Sequence, residues 1–111
     1  VLGSCHCNPS FNEDELKFLL KEKTGIIVED SLSVTNFEWV AAIGGDYSEE
    51  YILKCSLNDY EEILDHVKKN KWEDLERGYR LVIIPITIHD TLFVFALDKY
   101  SQIIVVQIVK E

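Results

Sequence analysis

The stretch LFVFAL, residues 92–97, decides the fold, because every one of its positions is apolar. A strand with one face in water alternates apolar and polar residues, whereas an uninterrupted apolar run is typical of a strand that is covered on both faces. We therefore predict a central strand over Thr91–Leu97, with helices on one face of its sheet and something else on the other.

Two further β-branched and aromatic runs flank this segment, Tyr79–Ile88 before it and Gln102–Val109 after it. The short sequences HD and DKYS separate the three runs and are typical of turns. The last third of the chain is therefore predicted to be three consecutive strands. Pro85 lacks a backbone donor, so it predicts a bulge or an unpaired edge position in the first of them.

Two amphipathic helices are predicted earlier in the chain. The first should run from about Glu13 to Lys23, because Asn12 and Glu15 form a capping-box pattern and Gly25 is a natural stop. The second should begin near Asn58, and its apolar stripe comprises Tyr60, Ile63, Leu64 and Val67.

A hairpin is predicted between the two helices. Phe37, Trp39 and Ala41 alternate with residues of the opposite face, Gly44-Gly45-Asp46 reads as a turn, and the alternation resumes at Tyr51–Cys55. The element order is thus α-β-β-α-β-β-β. It predicts a single α+β domain over residues 11–111, with a mostly antiparallel sheet and both helices packed on one face.

Charge and composition narrow the function classes. The chain has 111 residues, 47% of them hydrophobic, which suffices for one ordinary core. The net charge of −9 argues against nucleic-acid binding, which requires a basic face. It is compatible with a solvated acidic surface or with a basic protein partner.

Cys5, His6 and Cys7 allow three interpretations: a metal site, half of a disulfide, or the end of a sorting signal. Ligands one residue apart cannot easily all turn to one tetrahedral zinc, and no second ligand pair follows with suitable spacing, so we predict no metal site. Cys7 and Cys55 are the pair that an intrachain disulfide would use. The alternative for Cys55 is a small buried residue at a strand end.

The sequence Leu2-Gly3-Ser4-Cys5 resembles the lipobox that ends the signal peptide of a bacterial lipoprotein. The resemblance implies that Cys5 carries lipid and that residues 1–10 are a signal-peptide remnant and a tether. It also implies an extracytoplasmic, membrane-anchored protein of the cell envelope. A chance match is the alternative, and it would leave a cytoplasmic protein.

Catalytic motifs are not recognisable. Glu62 and His66 share a helix face, but Glu61 and Asp65 beside them favour a solvated ion cluster, and His89-Asp90 falls in a turn. We expect a non-catalytic protein without a cofactor.

Binding is the remaining class of function. Tyr47 and Tyr100 lie in or beside turns, next to Asp46 and Asp98, and Trp72 lies in a charged connector. We expect these aromatic residues to be exposed and to form the binding surface. The two functional hypotheses are a lipid-anchored protein that binds or scaffolds envelope components and a soluble acidic inhibitor, of the immunity-protein or antitoxin type, that neutralises a basic partner.

Overall fold

A computed structural model describes residues 9–41, 47–84, 86 and 91–110. Its helices and strands are α1 (Glu13–Thr24), β1 (Leu32–Ala41), β2 (Tyr47–Cys55), α2 (Leu57–Lys69), β3 (Glu73–Asp74), β4 (Gly78–Ile83), β5 (Leu92–Asp98) and β6 (Ile103–Lys110). The predicted α+β class and element order are confirmed, with one additional short strand, β3.

All six strands form one antiparallel sheet in the order β1-β2-β6-β5-β4-β3. β5, the apolar segment from which the fold was predicted, lies in the middle of this sheet beside β6. Its central position is therefore confirmed.

The core lies between the helices and one face of the sheet. Leu16 and Leu20 of α1 and Ile63 and Val67 of α2 belong to the same buried cluster as strand residues such as Phe95. The other buried strand residues of this cluster alternate along their strands: Leu32, Tyr51, Leu53, Cys55, Leu97, Ile104, Val106 and Ile108. Both helices thus cover one face of the sheet, as predicted.

Helix α1 begins and ends as its sequence predicts. The Asn12 side chain accepts a hydrogen bond from the Glu15 backbone, and the Glu15 side chain accepts one from the Asn12 backbone. Gly25 ends the helix with φ of 81°, a left-handed conformation that glycine adopts without strain.

Helix α2 begins earlier than predicted. Its N-cap is Ser56, two residues before Asn58, and the Ser56 hydroxyl accepts a hydrogen bond from the Asp59 backbone over 3.1 Å. Asp59 is buried and its carboxylate accepts hydrogen bonds from the backbone N–H groups of Glu29 and Asp30. These two bonds tie the segment before β1 to the first turn of α2.

Strand β1 contains an irregularity that the alternation of its residues did not reveal. Val34 pairs with Leu53 and Asn36 pairs with Ile52, so Thr35 is an extra residue in the ladder. The bulge lets Val34 and Phe37 pack against the same core although three positions separate them. Pro85, for which a bulge was also predicted, lies outside the described residues.

Candidate binding surfaces

The turn between β5 and β6 presents Tyr100 to solvent, and its side chain is 77% exposed. Asp98 organises this turn by accepting hydrogen bonds from the Tyr100 backbone over 2.8 Å and from the Ser101 hydroxyl over 2.7 Å. Partial burial raises the pKa of Asp98, but these bonds outweigh it and hold the pKa below its ordinary value. The predicted combination of an exposed ring and an ionised carboxylate is therefore present here.

Tyr47 lies at the opposite end of the sheet. It pairs with Lys110 at the end of β6, whereas Tyr100 precedes the start of that strand. Its half-buried ring packs 5.8 Å from the Trp39 ring, and the Lys110 ammonium lies 5.7 Å from its centre. Tyr47 and Tyr100 therefore cannot belong to one compact patch. Asp46 lies outside the described residues.

Trp72 is not on the surface, so the prediction that it is exposed is wrong. The indole is only 6% exposed and belongs to the core. Lys71 adopts a left-handed conformation with φ of 56°, and the Trp72 backbone then donates a hydrogen bond to the Val67 carbonyl. This tight reversal after α2 turns the side chain under the helix, and the following residues pair with β4 as strand β3.

A buried carboxylate was missed by the sequence analysis. Glu49 occupies a core-facing position of β2, between Tyr47 and Tyr51, and is 2% exposed. Its oxygens accept hydrogen bonds from the Ser10 backbone (3.0 Å), the Ser10 hydroxyl (2.8 Å) and the Tyr51 hydroxyl (2.8 Å). The Lys110 ammonium lies 3.3 Å away. The signal that could have revealed it is the alternation itself, since Glu49 has the parity of Tyr51, Leu53 and Cys55.

This cluster determines the ionisation of both acidic groups in it. Burial raises the pKa of Glu49, but the hydrogen bonds from Ser10 and Tyr51 and the contact with Lys110 outweigh it, so the pKa lies below its ordinary value. Burial and the neighbouring carboxylate raise the pKa of Tyr51, so its hydroxyl remains a donor. The Phe11 backbone donates to the Tyr51 hydroxyl over 3.2 Å, which extends the attachment of the N-terminal segment.

The cysteines divide between the described and undescribed parts of the chain. Cys5 and Cys7 lie outside the described residues, so neither the lipid attachment nor the Cys7–Cys55 disulfide is addressed there. Cys55 is buried as a free thiol, with its sulfur 3.7 Å from the Gln102 carbonyl oxygen. Burial, with the Asp59 charge, raises the pKa of this thiol to about 11.

His66 has a structural partner. Its Nε2 lies 2.8 Å from the Thr24 carbonyl oxygen, at the end of α1, so the ring links the two helices. Nearby, Asp65 forms an ion pair with Lys69 at 2.9 Å. His89 and Asp90 lie outside the described residues. Within the part of the chain that the structure describes, no three His, Cys, Asp or Glu residues are grouped so that they could hold a metal ion.

Carboxylates gather around the N-terminal half of α2. A shallow hollow there is lined almost wholly by acidic residues, namely Glu29, Asp30, Asp59, Glu61, Glu62 and Asp65, together with Asn58. Asp59 is held by backbone donors, and the other carboxylates give this hollow a negative surface.

The sheet face opposite the helices is a mostly apolar surface. We call it the open face, because no helix or strand of the described residues packs on it. The second cover expected over β5 stays a prediction. The residues at the centre of the open face are only partly buried by their neighbours. Most of them are aliphatic, namely Ile52, Leu92, Val94, Ala96, Val105 and Val109. At one end, a groove of about 440 Å³ lies between this face and Leu75, with Ala96, Ile103 and Val105 in its lining.

Comparisons with known proteins add no relative: no family model, no curated protein and no solved structure matched the chain. Neither helix among the described residues is long and apolar enough to cross a membrane.

Proposed function

We propose that this chain is a non-catalytic, lipid-anchored protein of the cell envelope, attached through Cys5, whose domain binds other envelope components. The observation that best supports the proposal is the attachment of Ser10 to Glu49 by two hydrogen bonds. A lipoprotein tether needs a defined point at which it joins the domain. Here that point is Ser10, five residues after the cysteine of the lipobox-like sequence, and a buried carboxylate holds it.

The length of the tether would hold the domain close to the membrane. Five residues span at most about 18 Å when fully extended. Ser10 lies at the end of the sheet where Glu49 contacts Lys110. The turn that carries Tyr100 lies beyond the far end of β6, about 24 Å away along an eight-residue strand. An anchor at Cys5 would therefore direct Tyr100 and Asp98 away from the membrane, where a partner can reach them.

The anchor is tested by expressing the gene with its native leader in a bacterium and analysing the mature N-terminus by mass spectrometry. We expect a lipid-modified Cys5 and co-sedimentation with membranes, because several acyl chains anchor stably where one does not. Cys5→Ser should abolish both, and Cys7→Ser is the matched control that should abolish neither. An unmodified Cys5, or a chain that begins upstream of it, would refute the anchor.

Partner binding is tested by cross-linking in the native envelope, followed by titration of the captured protein. Tyr100→Ala should weaken binding by about thirtyfold or more if the ring is an anchor of the interface. Tyr47→Ala, at the other end of the sheet, is the matched aromatic control. Binding of a basic partner should also weaken as salt concentration rises. Equal effects of the two tyrosine variants would exclude the turn as the binding site.

The acidic hollow beside α2 favours a second candidate, a soluble acidic inhibitor that neutralises a basic protein in the cytoplasm. A concentrated negative surface steers a cationic partner and suits such an inhibitor. The double variant Glu61→Lys/Glu62→Lys would then abolish binding while Tyr100→Ala would not. The first codons of the gene separate the two candidates, because a basic and then apolar leader belongs only to the first.

A further inference from the structure

The open face is an apolar surface in the middle of an otherwise acidic protein. Its central aliphatic residues lie on β5 and β6, and charged residues flank them on β2 and β4. Val82 and Ile84, which continue the apolar area on the β4 side, are 41% and 76% exposed. Sheets bury such a face against another layer, and a second sheet is one of the standard solutions.

We infer that the layer is a second copy of this chain, packed face to face in a two-fold symmetric dimer. β5 and β6 lie at the centre of the strand order, with two strands on either side. Consider a two-fold axis that lies midway between the two sheets, parallel to the strands and level with the gap between β5 and β6. This axis stacks the two sheets strand over strand. It places β6 of one copy over β5 of the other, and β2 over β4.

Two pairs of opposite charges approach each other in this arrangement, one of them through Arg80, which is also bound to Glu73 of its own chain over 2.9 Å. On β2, Glu50 projects to the open face in the row of Val82, one pleat from Arg80 on β4. Superposition of β2 on β4 brings each Glu50 near an Arg80 of the other copy. Lys54, in the row of Asp98, likewise comes near that carboxylate. An axis perpendicular to the strands would instead place β2 over β2 and each Glu50 near its equivalent.

In this dimer, a side chain of the second copy lies opposite the groove on the open face. The groove lies over the rows of Gly78 and Arg80 on β4, which this axis places opposite Lys54 and Ile52 of the second copy. Ile52 is an apolar open-face residue of suitable size for a groove lined by Ala96 and Val105. The axis thus places an apolar side chain of one copy opposite an apolar part of the groove of the other.

The available area approaches that of a standard protein–protein interface. One residue on one face of a sheet occupies about 33 Å², from the strand spacing and the two-residue repeat. Fifteen open-face residues of β2, β4, β5 and β6 therefore cover about 490 Å² in projection. The accessible area of a corrugated surface is larger, and β1 adds to it, so the face approaches the roughly 800 Å² per partner of a standard interface.

Sedimentation equilibrium of the 111-residue chain carrying Cys5→Ser, so that no lipid contributes, tests this inference independently of the proposed anchor. We expect a concentration-dependent dimer. Val105→Glu would bury one carboxylate from each copy in the interface and should raise the dissociation constant by about a thousandfold. Val40→Glu is the matched control: Val40 lies on the same face of β1, beyond the reach of β3 in the second copy, and should leave dimerisation unchanged.

A charge exchange provides a second, less disruptive test. Glu50→Arg alone should weaken the dimer by about tenfold or more. Adding Arg80→Glu together with Glu73→Arg, which keeps an ion pair between these two residues within the chain, should restore it. Urea melts establish that each variant is folded. A monomer at all concentrations, or equal masses for Val105→Glu and Val40→Glu, would overturn the inference. If the chain is a monomer and Val105→Glu prevents cross-linking to an envelope protein, the open face would be the binding site for that protein instead.

Discussion

Ser10 and Glu49 lie 39 positions apart and are joined by two hydrogen bonds, one from the Ser10 backbone and one from its hydroxyl. The carboxylate is buried, so water cannot replace either bond if it breaks. The beginning of the domain is thereby fixed to β2, near one end of the sheet.

Glu49→Gln should lower the free energy of unfolding by about 2–4 kcal/mol, because the amide presents a donor group to a site built from donors. Ser10 and Tyr51 would then compete for one acceptor oxygen. Urea melts provide the measurement, and Glu38→Gln, on the exposed edge strand, is the control that should change stability by less than about 0.5 kcal/mol. Equal effects of the two substitutions would contradict the assigned role of Glu49.

The same carboxylate predicts how stability depends on pH. Its pKa is lower in the folded protein than the ordinary value of 4.5 that the unfolded chain approaches. The unfolded state therefore binds the proton more tightly, so the contribution of Glu49 is complete above about pH 5 and is lost as the pH falls through the folded-state pKa. Unfolding free energies measured from pH 7 to pH 3 should decrease more steeply in the wild type than in Glu49→Gln. Parallel curves would contradict this prediction.

Cys55 should be unreactive in the folded protein. Its thiol is buried and its pKa is raised to about 11, so very little thiolate exists at pH 8. In the Cys5→Ser chain under reducing conditions, an alkylating reagent should label Cys55 only after addition of urea. The experiment is repeated without reductant. If neither cysteine is labelled until the chain is reduced, Cys7 and Cys55 form a disulfide.

Both helices should contribute similarly to stability through their buried faces. Leu19→Ala in α1 and Ile63→Ala in α2 each remove a side chain that is largely or fully buried in one core. Each should destabilise the protein by about 2–4 kcal/mol. Glu62→Ala, on the exposed side of α2, is the control and should change stability by well under 1 kcal/mol. A comparable effect of all three in urea melts would mean that the helical faces are assigned incorrectly.

The parts of the fold that sequence predicts well are those governed by local periodicity. The cap at Asn12, the stop at Gly25 and the apolar run of β5 each express a rule that acts within a few residues. The bulge at Thr35 and the burial of Glu49 follow from the partner strand and from Ser10, which are distant in sequence. Periodicity alone carries no information about such contacts.

The candidate site shows the same division. Asp98 and Tyr100 form a turn from neighbouring residues, and the turn is where the sequence placed it. Tyr47 would belong to that surface only if both tyrosines lay at the same end of β6. The strand pairing alone shows that they lie at opposite ends. The open face is likewise invisible without the strand order.

Trp72 and Tyr100 were both expected on the surface, and only Tyr100 is exposed. Trp72→Ala should lower the free energy of unfolding by about 3–5 kcal/mol, because it empties a large part of the core beneath α2. Tyr100→Ala should lower it by less than about 0.5 kcal/mol, because the ring makes few contacts to lose. Urea melts followed by circular dichroism compare the two directly. Trp72→Phe is the conservative control and should recover more than half of the loss, since the core position requires an aromatic volume and no indole hydrogen bond is among the described contacts. If Trp72→Ala is as stable as Tyr100→Ala, the reversal at Lys71 does not bury this side chain.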